Sequence, residues 1–125
     1  MAVVSYAQRI TDLATADPAR ISITCGEESI TRAGFEAAAN RLARDLQGRG
    51  VQLGDMVTIA LPNSVEWFVT AAACWKLGAI PQPVSSRLPA GELQAIVELA
   101  DAKVVVGVEP VVVPGRASLP IGPES

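Results

Sequence analysis

A guanidinium beside a pair of hydroxyls, Ser85-Ser86-Arg87, is the stretch of this sequence best equipped to hold a ligand. Arg87 offers a planar fork of donors and each serine a hydroxyl, a set that a phosphate group accepts. The same three residues also make an ordinary solvated loop ahead of a helix. Other reactive groups are sparse. Histidine is absent, which removes the commonest general base, Ser-His nucleophiles and most zinc and iron sites. Cys25 and Cys74 sit in apolar surroundings outside any CxxC, so both are expected as buried, reduced thiols. Glu27, Glu28, Glu92, Glu98 and Asp101 are dispersed and form no acid–base pair or metal cluster. Lys76 stands near a helix end, where it favours the C-terminal dipole, and Lys103 precedes a strand. No catalytic residue and no metal ligand is expected among these side chains.

The elements that must position the loop follow from periodicity. Ser5 to Gln8 is a capping box for a helix with Ile10, Leu13 and Ala14 on one face, stopped by Asp17-Pro18. Ile21–Cys25 and Ser29–Thr31 read as short strands around a Gly26-Glu27-Glu28 turn. From Arg32 to Gly48 an amphipathic helix presents Phe35, Ala38, Ala39, Leu42, Ala43 and Leu46. Gly48, Gly50 and Gly54 follow a helix and lead into a strand. A dinucleotide-binding loop needs the opposite context, so these glycines read as a helix end and turn. Met56–Leu61 is a continuous apolar strand. Asn63, with Glu66 three residues on, is expected to cap the next helix, which ends at Leu77-Gly78. Ala79–Val84 carries Pro81 and Pro83 and is expected to be an irregular strand or one at a sheet edge. Pro89 suits the first turn of a helix running to about Ala100, and Lys103–Val106 is a buried strand. Four of the nine prolines fall after Gly107, at 110, 114, 120 and 123. Residues 108–125 are therefore expected as a Pro/Gly-rich tail or linker outside an α/β unit of residues 1–107.

Strands and helices alternate after Gly50, which predicts an α/β, three-layer unit with a mainly parallel sheet and right-handed crossovers. Net charge is 10 − 13 = −3, which gives no reason to seek nucleic acid. No apolar run is long enough to span a bilayer, and no signal peptide opens the sequence, so a cytoplasmic location is expected. The helix between Ser64 and Gly78 has ten apolar residues in fifteen and must be covered on most sides. One small sheet covers one face, so the chain is expected to self-associate or to belong to something larger.

The same residues carry a resemblance. Ile30-Thr31 with Ala39-Asn40-Arg41-Leu42-Ala43 is similar to the first core motif of the adenylate-forming enzymes, a superfamily of acyl-CoA synthetases, luciferases and peptide-synthetase adenylation domains. Phe35 stands near the motif's leucine, and Ala33-Gly34 replaces its Tyr-x-Glu region. Leu53-Gly54-Asp55-Met56-Val57 resembles the GDxV strand entry, and Leu61-Pro62-Asn63-Ser64-Val65-Glu66 resembles LPNSxE. Lys76-Leu77-Gly78-Ala79-Ile80-Pro81 resembles the second core motif. Arg87-Leu88-Pro89 with Glu92-Leu93 resembles xRLPxxEL. Order and spacing match from about Ser5 to Gly107.

The resemblance implies the N-terminal part of the large domain of an acid–CoA ligase of the bile-acid or fatty-acid type. Such enzymes use ATP, Mg2+ and CoA to turn a carboxylic acid into an acyl-adenylate and then a thioester. It also implies that Ser85, Ser86 and Arg87 lie where the CoA nucleotide approaches, and that Trp67 and Trp75 line an acyl pocket or pack between layers. The family's phosphate loop, aromatic-Thr-Glu motif, ribose-binding aspartate and C-terminal catalytic lysine have no counterpart here. The chain alone is therefore expected to be inactive and to hold no cofactor productively. Its partner would be the remainder of the ligase. The other reading is a stand-alone α/β binding or assembly module derived from such a ligase.

Overall fold

The computed structural model describes residues 5–121. Helix α1 (Tyr6–Ala16) starts at Ser5, whose hydroxyl accepts from the Gln8 amide, as the capping box predicts. Strands β1 (Ile21–Cys25) and β2 (Glu28–Thr31) form an antiparallel hairpin, and Thr31 caps α2 (Arg32–Gly48). Then come β3 (Met56–Ile59), α3 (Val65–Leu77), β4 (Ile80–Pro83), α4 (Ala90–Ala100) and β5 (Val104–Val106). Pro89 is the cap of α4 rather than its first residue.

Beyond Gly107 the chain departs from the expected tail. Pro110–Val112 forms a 3-10 turn, and β6 (Ala117–Leu119) pairs in parallel with β5. Prolines at 110, 114 and 120 bound these pieces and hide a usable apolar set between them: Val113 and Leu119 are buried. Gln94 Nε2 donates to Val112 O at 2.7 Å, and Arg116 Nη1 to Asp101 Oδ1 at 2.6 Å. The segment is thereby tied to α4.

The four strands run parallel in the order β4-β3-β5-β6, with Val57 opposite both Pro81 and Val104. From β3 the chain steps one way to β4, then two strands back to β5. Crossovers of one hand that move in opposite directions lie on opposite faces, and α3 and α4 do. Val57, Ile59, Val104 and Val106 pack with Ala71, Ala73 and Cys74 of α3 and Leu46 of α2. Ala60 and Val105 pack on the other face with Leu93 and Val97 of α4. The result is the expected three-layer α/β unit.

Pro81 and Pro83 fit β4 to its edge. The amides of Ile80 and Val84 donate inward, to Asp55 O at 2.8 Å and Ile59 O at 3.0 Å. Amides alternate in direction along a strand, so positions 81 and 83 face away from β3 and need no donor.

The covering of α3 corrects the sequence expectation. Seven of its residues are buried, and this chain supplies the cover. One side lies on the sheet. Another packs Val65, Val69 and Ala72 against Phe35 and Ala39 of α2, with Ile10 of α1 and Ile23 and Ile30 of the hairpin closing over them. The helix is small where it is most crowded, at Ala71-Ala72-Ala73, so neighbours approach closely there, while Trp75 stays 38% exposed. Its need for cover is thus no ground for self-association. The cap is also corrected: Ser64, not Asn63, accepts the Trp67 amide at 3.2 Å and donates to Pro62 O at 2.9 Å. Among the described residues no helix is long and apolar enough to cross a membrane.

Candidate functional site

All four strands of the parallel sheet end on one edge, and the turns that follow them gather there: Ala60–Ser64 after β3, Val84–Leu88 after β4, Gly107–Glu109 after β5 and Pro120-Ile121 after β6. In open α/β sheets ligands bind along this edge, at the point where strand order reverses. Here that point lies between β3 and β5. Gly107 closes it: a Cβ there would stand 2.6 Å from Ala60 O and 2.9 Å from the Ala60 carbonyl carbon. Main chain of the two strand exits meets closely at this position, so the candidate binding groups are those of the flanking loops.

Ser85-Ser86-Arg87 is such a loop. The Arg87 amide donates to Ser85 Oγ at 3.1 Å, and the Leu88 amide to Ser85 O at 3.4 Å. These bonds draw the three residues into a turn and direct Ser85 Oγ to the backbone. All three residues are exposed, and Arg87 makes no salt bridge among the described residues. Two hydroxyls and one uncommitted guanidinium therefore stand on an open surface. They can meet a phosphate from one side and lack walls to enclose it.

The two tryptophans do not share a pocket. Trp67 lies at the start of α3 against Phe68, ring centroids 5.1 Å apart, and borders the core. Trp75 lies two turns on, against Tyr6 at 4.8 Å, and is 38% exposed. The cysteines also differ: Cys74 is buried, whereas Cys25 in β1 is only half-buried, because its short hairpin covers one side. Burial pushes the Cys74 thiol up to about 12, so it is neither nucleophile nor ligand. Among the described residues no group of three or more His, Cys, Asp or Glu side chains could hold a metal ion.

Sequence reasoning missed the polar ties between helices. Lys76 Nζ is paired with Glu36 of α2 and donates to Thr11 Oγ1 of α1 at 3.4 Å. Burial alone would raise the Glu36 carboxyl, but the hydrogen bonds from Lys76 and Thr11 and the charge of Lys76 outweigh it and hold the group below its ordinary value. Lys76 therefore joins three helices rather than simply serving a dipole. The available signal was a lone lysine, the one charged residue of α3 after Glu66. Asp101, in the left-handed conformation at the end of α4, is held below the usual carboxylate range by its bond from Arg116.

Hollows among the described residues lie away from the loop. One of about 220 Å³ lies between α4 and Val113–Arg116. An open groove of about 400 Å³ runs between α2 and the start of α3, with Ile121 at one side. Glu66 lines this groove, and its Oε2 is buried without a partner among the described residues.

A family model described as AMP-binding enzyme matches residues 10–120. A medium/long-chain-fatty-acid–CoA/3-oxocholest-4-en-26-oate–CoA ligase of Mycobacterium tuberculosis is 36% identical over 107 residues, covering 82% of this chain and 20% of that ligase. The acetyl-coenzyme A synthetase of Methanothrix thermoacetophila is 44% identical over 79 residues, 63% of this chain and 12% of its own. Among solved structures, a Mycobacterium tuberculosis fatty acyl CoA synthetase superposes with a TM-score of 0.80 at 30% identity, over 97% of this chain and 27% of that one. The O-succinylbenzoate coenzyme A synthetase of Bacillus subtilis, solved with AMP, shares the fold with a TM-score of 0.78 at 23% identity. The chain thus spans a minor part of the length of the proteins it matches.

Proposed function

Since this chain belongs to the AMP-binding enzyme family, we propose that it is the N-terminal part of an AMP-forming carboxylic acid–CoA ligase, cytoplasmic and inactive by itself. In the complete reaction a carboxylate oxygen attacks the α-phosphorus of ATP and pyrophosphate leaves. The thiol sulfur of CoA then attacks the acyl carbonyl carbon and AMP leaves. The described residues do not fit a triphosphate with its Mg2+: they offer no acidic cluster, and the sequence has no Ser/Thr/Gly-rich loop ending in lysine. Neither transfer is therefore assigned to a residue of this chain.

Its proposed part is structural and, at one loop, electrostatic. Ser86 and Arg87, with Ser85 shaping the turn, meet a phosphate of CoA in the assembled ligase. The observation that carries this is the uncommitted guanidinium of Arg87 at the ligand-binding edge of the sheet. Fatty or related apolar acids are the proposed substrates, given the identity to the mycobacterial ligase.

Two measurements test the reading. Pyrophosphate exchange with ATP and a fatty acid should be absent for the purified chain, and exchange above background overturns its inactivity. Titration with CoA followed by amide NMR should move Ser86 and Arg87, and CoA lacking its 3′-phosphate should move them less. Shifts confined to other loops refute the assignment. The intact mass of the polypeptide in its native source separates the ligase from a stand-alone binding module: the ligase requires several times 13.0 kDa.

A further inference from the structure

α2, α3 and α4 seat four, seven and two side chains in the core, whereas α1 seats none. Yet α1 lies over both α2 and α3. Among the described residues its attachments are few and none is fully buried. Tyr6, 70% exposed, rests on Trp75. Thr11 accepts from Lys76, Leu13 O accepts from Arg32 Nη1 at 3.3 Å, and Ile10 borders the apolar cluster of α2 and α3.

We infer that α1 is a detachable strap, which melts from the molecule while the sheet, the hairpin and the other helices stay folded, and which uncovers the outer side of α3 around Trp75. Eleven residues are too few to stay helical alone in water, so lifting and melting are one event. Melting stops where the chain is next fastened by its backbone. Just past α1, the Arg32 amide donates to Arg20 O at 2.8 Å and the Ala33 amide to Pro18 O at 3.0 Å, which fastens the connection to the start of α2. Loss of α1 leaves the α2–α3 contact intact, because Glu36 keeps Lys76 and Phe35 and Ala39 keep Val65, Val69 and Ala72. Local openings of this kind have a free energy below that of global unfolding.

Native-state hydrogen exchange by NMR, in rising but sub-denaturing urea, tests this on the full chain. The amides of Arg9–Ala16 should exchange at least about 100-fold faster than those of Ala72–Cys74, relative to their intrinsic rates, with little dependence on urea. Tyr6→Ala should speed the α1 amides by a further factor of roughly 3 to 10, the range for one aromatic pair, and leave the α3 amides unchanged. Arg32→Met, which removes the bond to Leu13 and keeps the ring pair, should act in the same selective way. Equal protection and equal urea slopes in α1 and α3 would overturn the inference. So would an equal effect of either substitution on both helices.

Discussion

Gly107→Ala tests the closed switch point of the sheet. Gly107 has φ +103, and its missing Cβ would meet two backbone atoms of Ala60 at 2.6 and 2.9 Å. An alanine there carries two penalties. A side chain in this backbone region costs about 1–3 kcal/mol. The clash is with main chain, so it cannot be relieved by a rotamer change, and the ends of β3 and β5 must part by several tenths of an ångström. That movement strains the bond from Ala60 N to Val106 O and the bond from Gly107 N to Leu119 O, both 2.8 Å, each worth about 0.5–1.5 kcal/mol. The total is about 2–6 kcal/mol, a large share of the roughly 5–15 kcal/mol that holds a domain together. Gly115→Ala is the internal control. Its φ is +83, but a methyl placed there meets nothing within 4 Å, so only the conformational penalty of about 1–2 kcal/mol remains. Equilibrium urea denaturation followed by tryptophan fluorescence reads both variants. Equal losses, or a Gly107→Ala loss below about 1 kcal/mol, would show that the strand ends yield freely and refute the close approach at Gly107.

Ser64→Ala should lower stability by about 0.5–2 kcal/mol, because it removes the acceptor for the Trp67 amide, whereas Asn63→Ala should change it little; the reverse order in thermal or urea unfolding would restore Asn63 as the cap. Glu36 has a folded-state pKa below its unfolded value of about 4.3, so the unfolded chain binds more protons in that window and stability rises with pH there. The contribution is complete above about pH 4.3 and is lost as pH falls through the folded value. Asp101 shifts the same way, so Glu36→Gln should flatten the acid side of a stability–pH curve in part, and an unchanged curve would refute the Lys76 tie. At about pH 8 a thiol reagent should label Cys25 and spare Cys74, whose pKa is about 12 and whose side chain is buried, until denaturant exposes both; equal native rates by mass spectrometry would contradict that burial.

The parallel core was legible because its residues have one use. Val57, Ile59 and Val104–Val106 lie in segments that are apolar almost throughout, which fits strands covered on both faces and little else. The edge position of β4 was legible for the same reason, since two prolines exclude a central strand. The cap of α3 was not. Asn63 and Ser64 are both good cap residues, and the choice rests on which side chain reaches the Trp67 amide once the chain has turned at Pro62. β6 was lost because three residues are too few to show periodicity, and the prolines around it outweighed Val113 and Leu119. The candidate loop was legible in its residue types. Its openness was not, because that depends on how the neighbouring strand exits close on each other at Gly107 and Ala60.

The helix α3 shows where reading an apolar segment runs out. Ten apolar residues in fifteen say that cover is needed and do not say who supplies it. One small sheet covers one side of such a helix, and composition is silent about the others. In the structure those sides belong to segments that precede the sheet: the amphipathic face of α2, the inner residues of the β1–β2 hairpin and, weakly, α1. Long-range packing of this kind leaves no periodic mark, since Phe35 and Ala39 pair with Val65, Val69 and Ala72 across about thirty residues of chain. The polar tie follows the same path. Lys76 reads as an exposed charge until α2 brings Glu36 beside it, and a lysine inside an apolar helix is better taken as a sign that a carboxylate will arrive from another element. Groups that the chain's own packing leaves without a polar partner among the described residues include the Arg87 guanidinium at one end of the sheet and, in the groove at Glu66, a buried carboxylate oxygen.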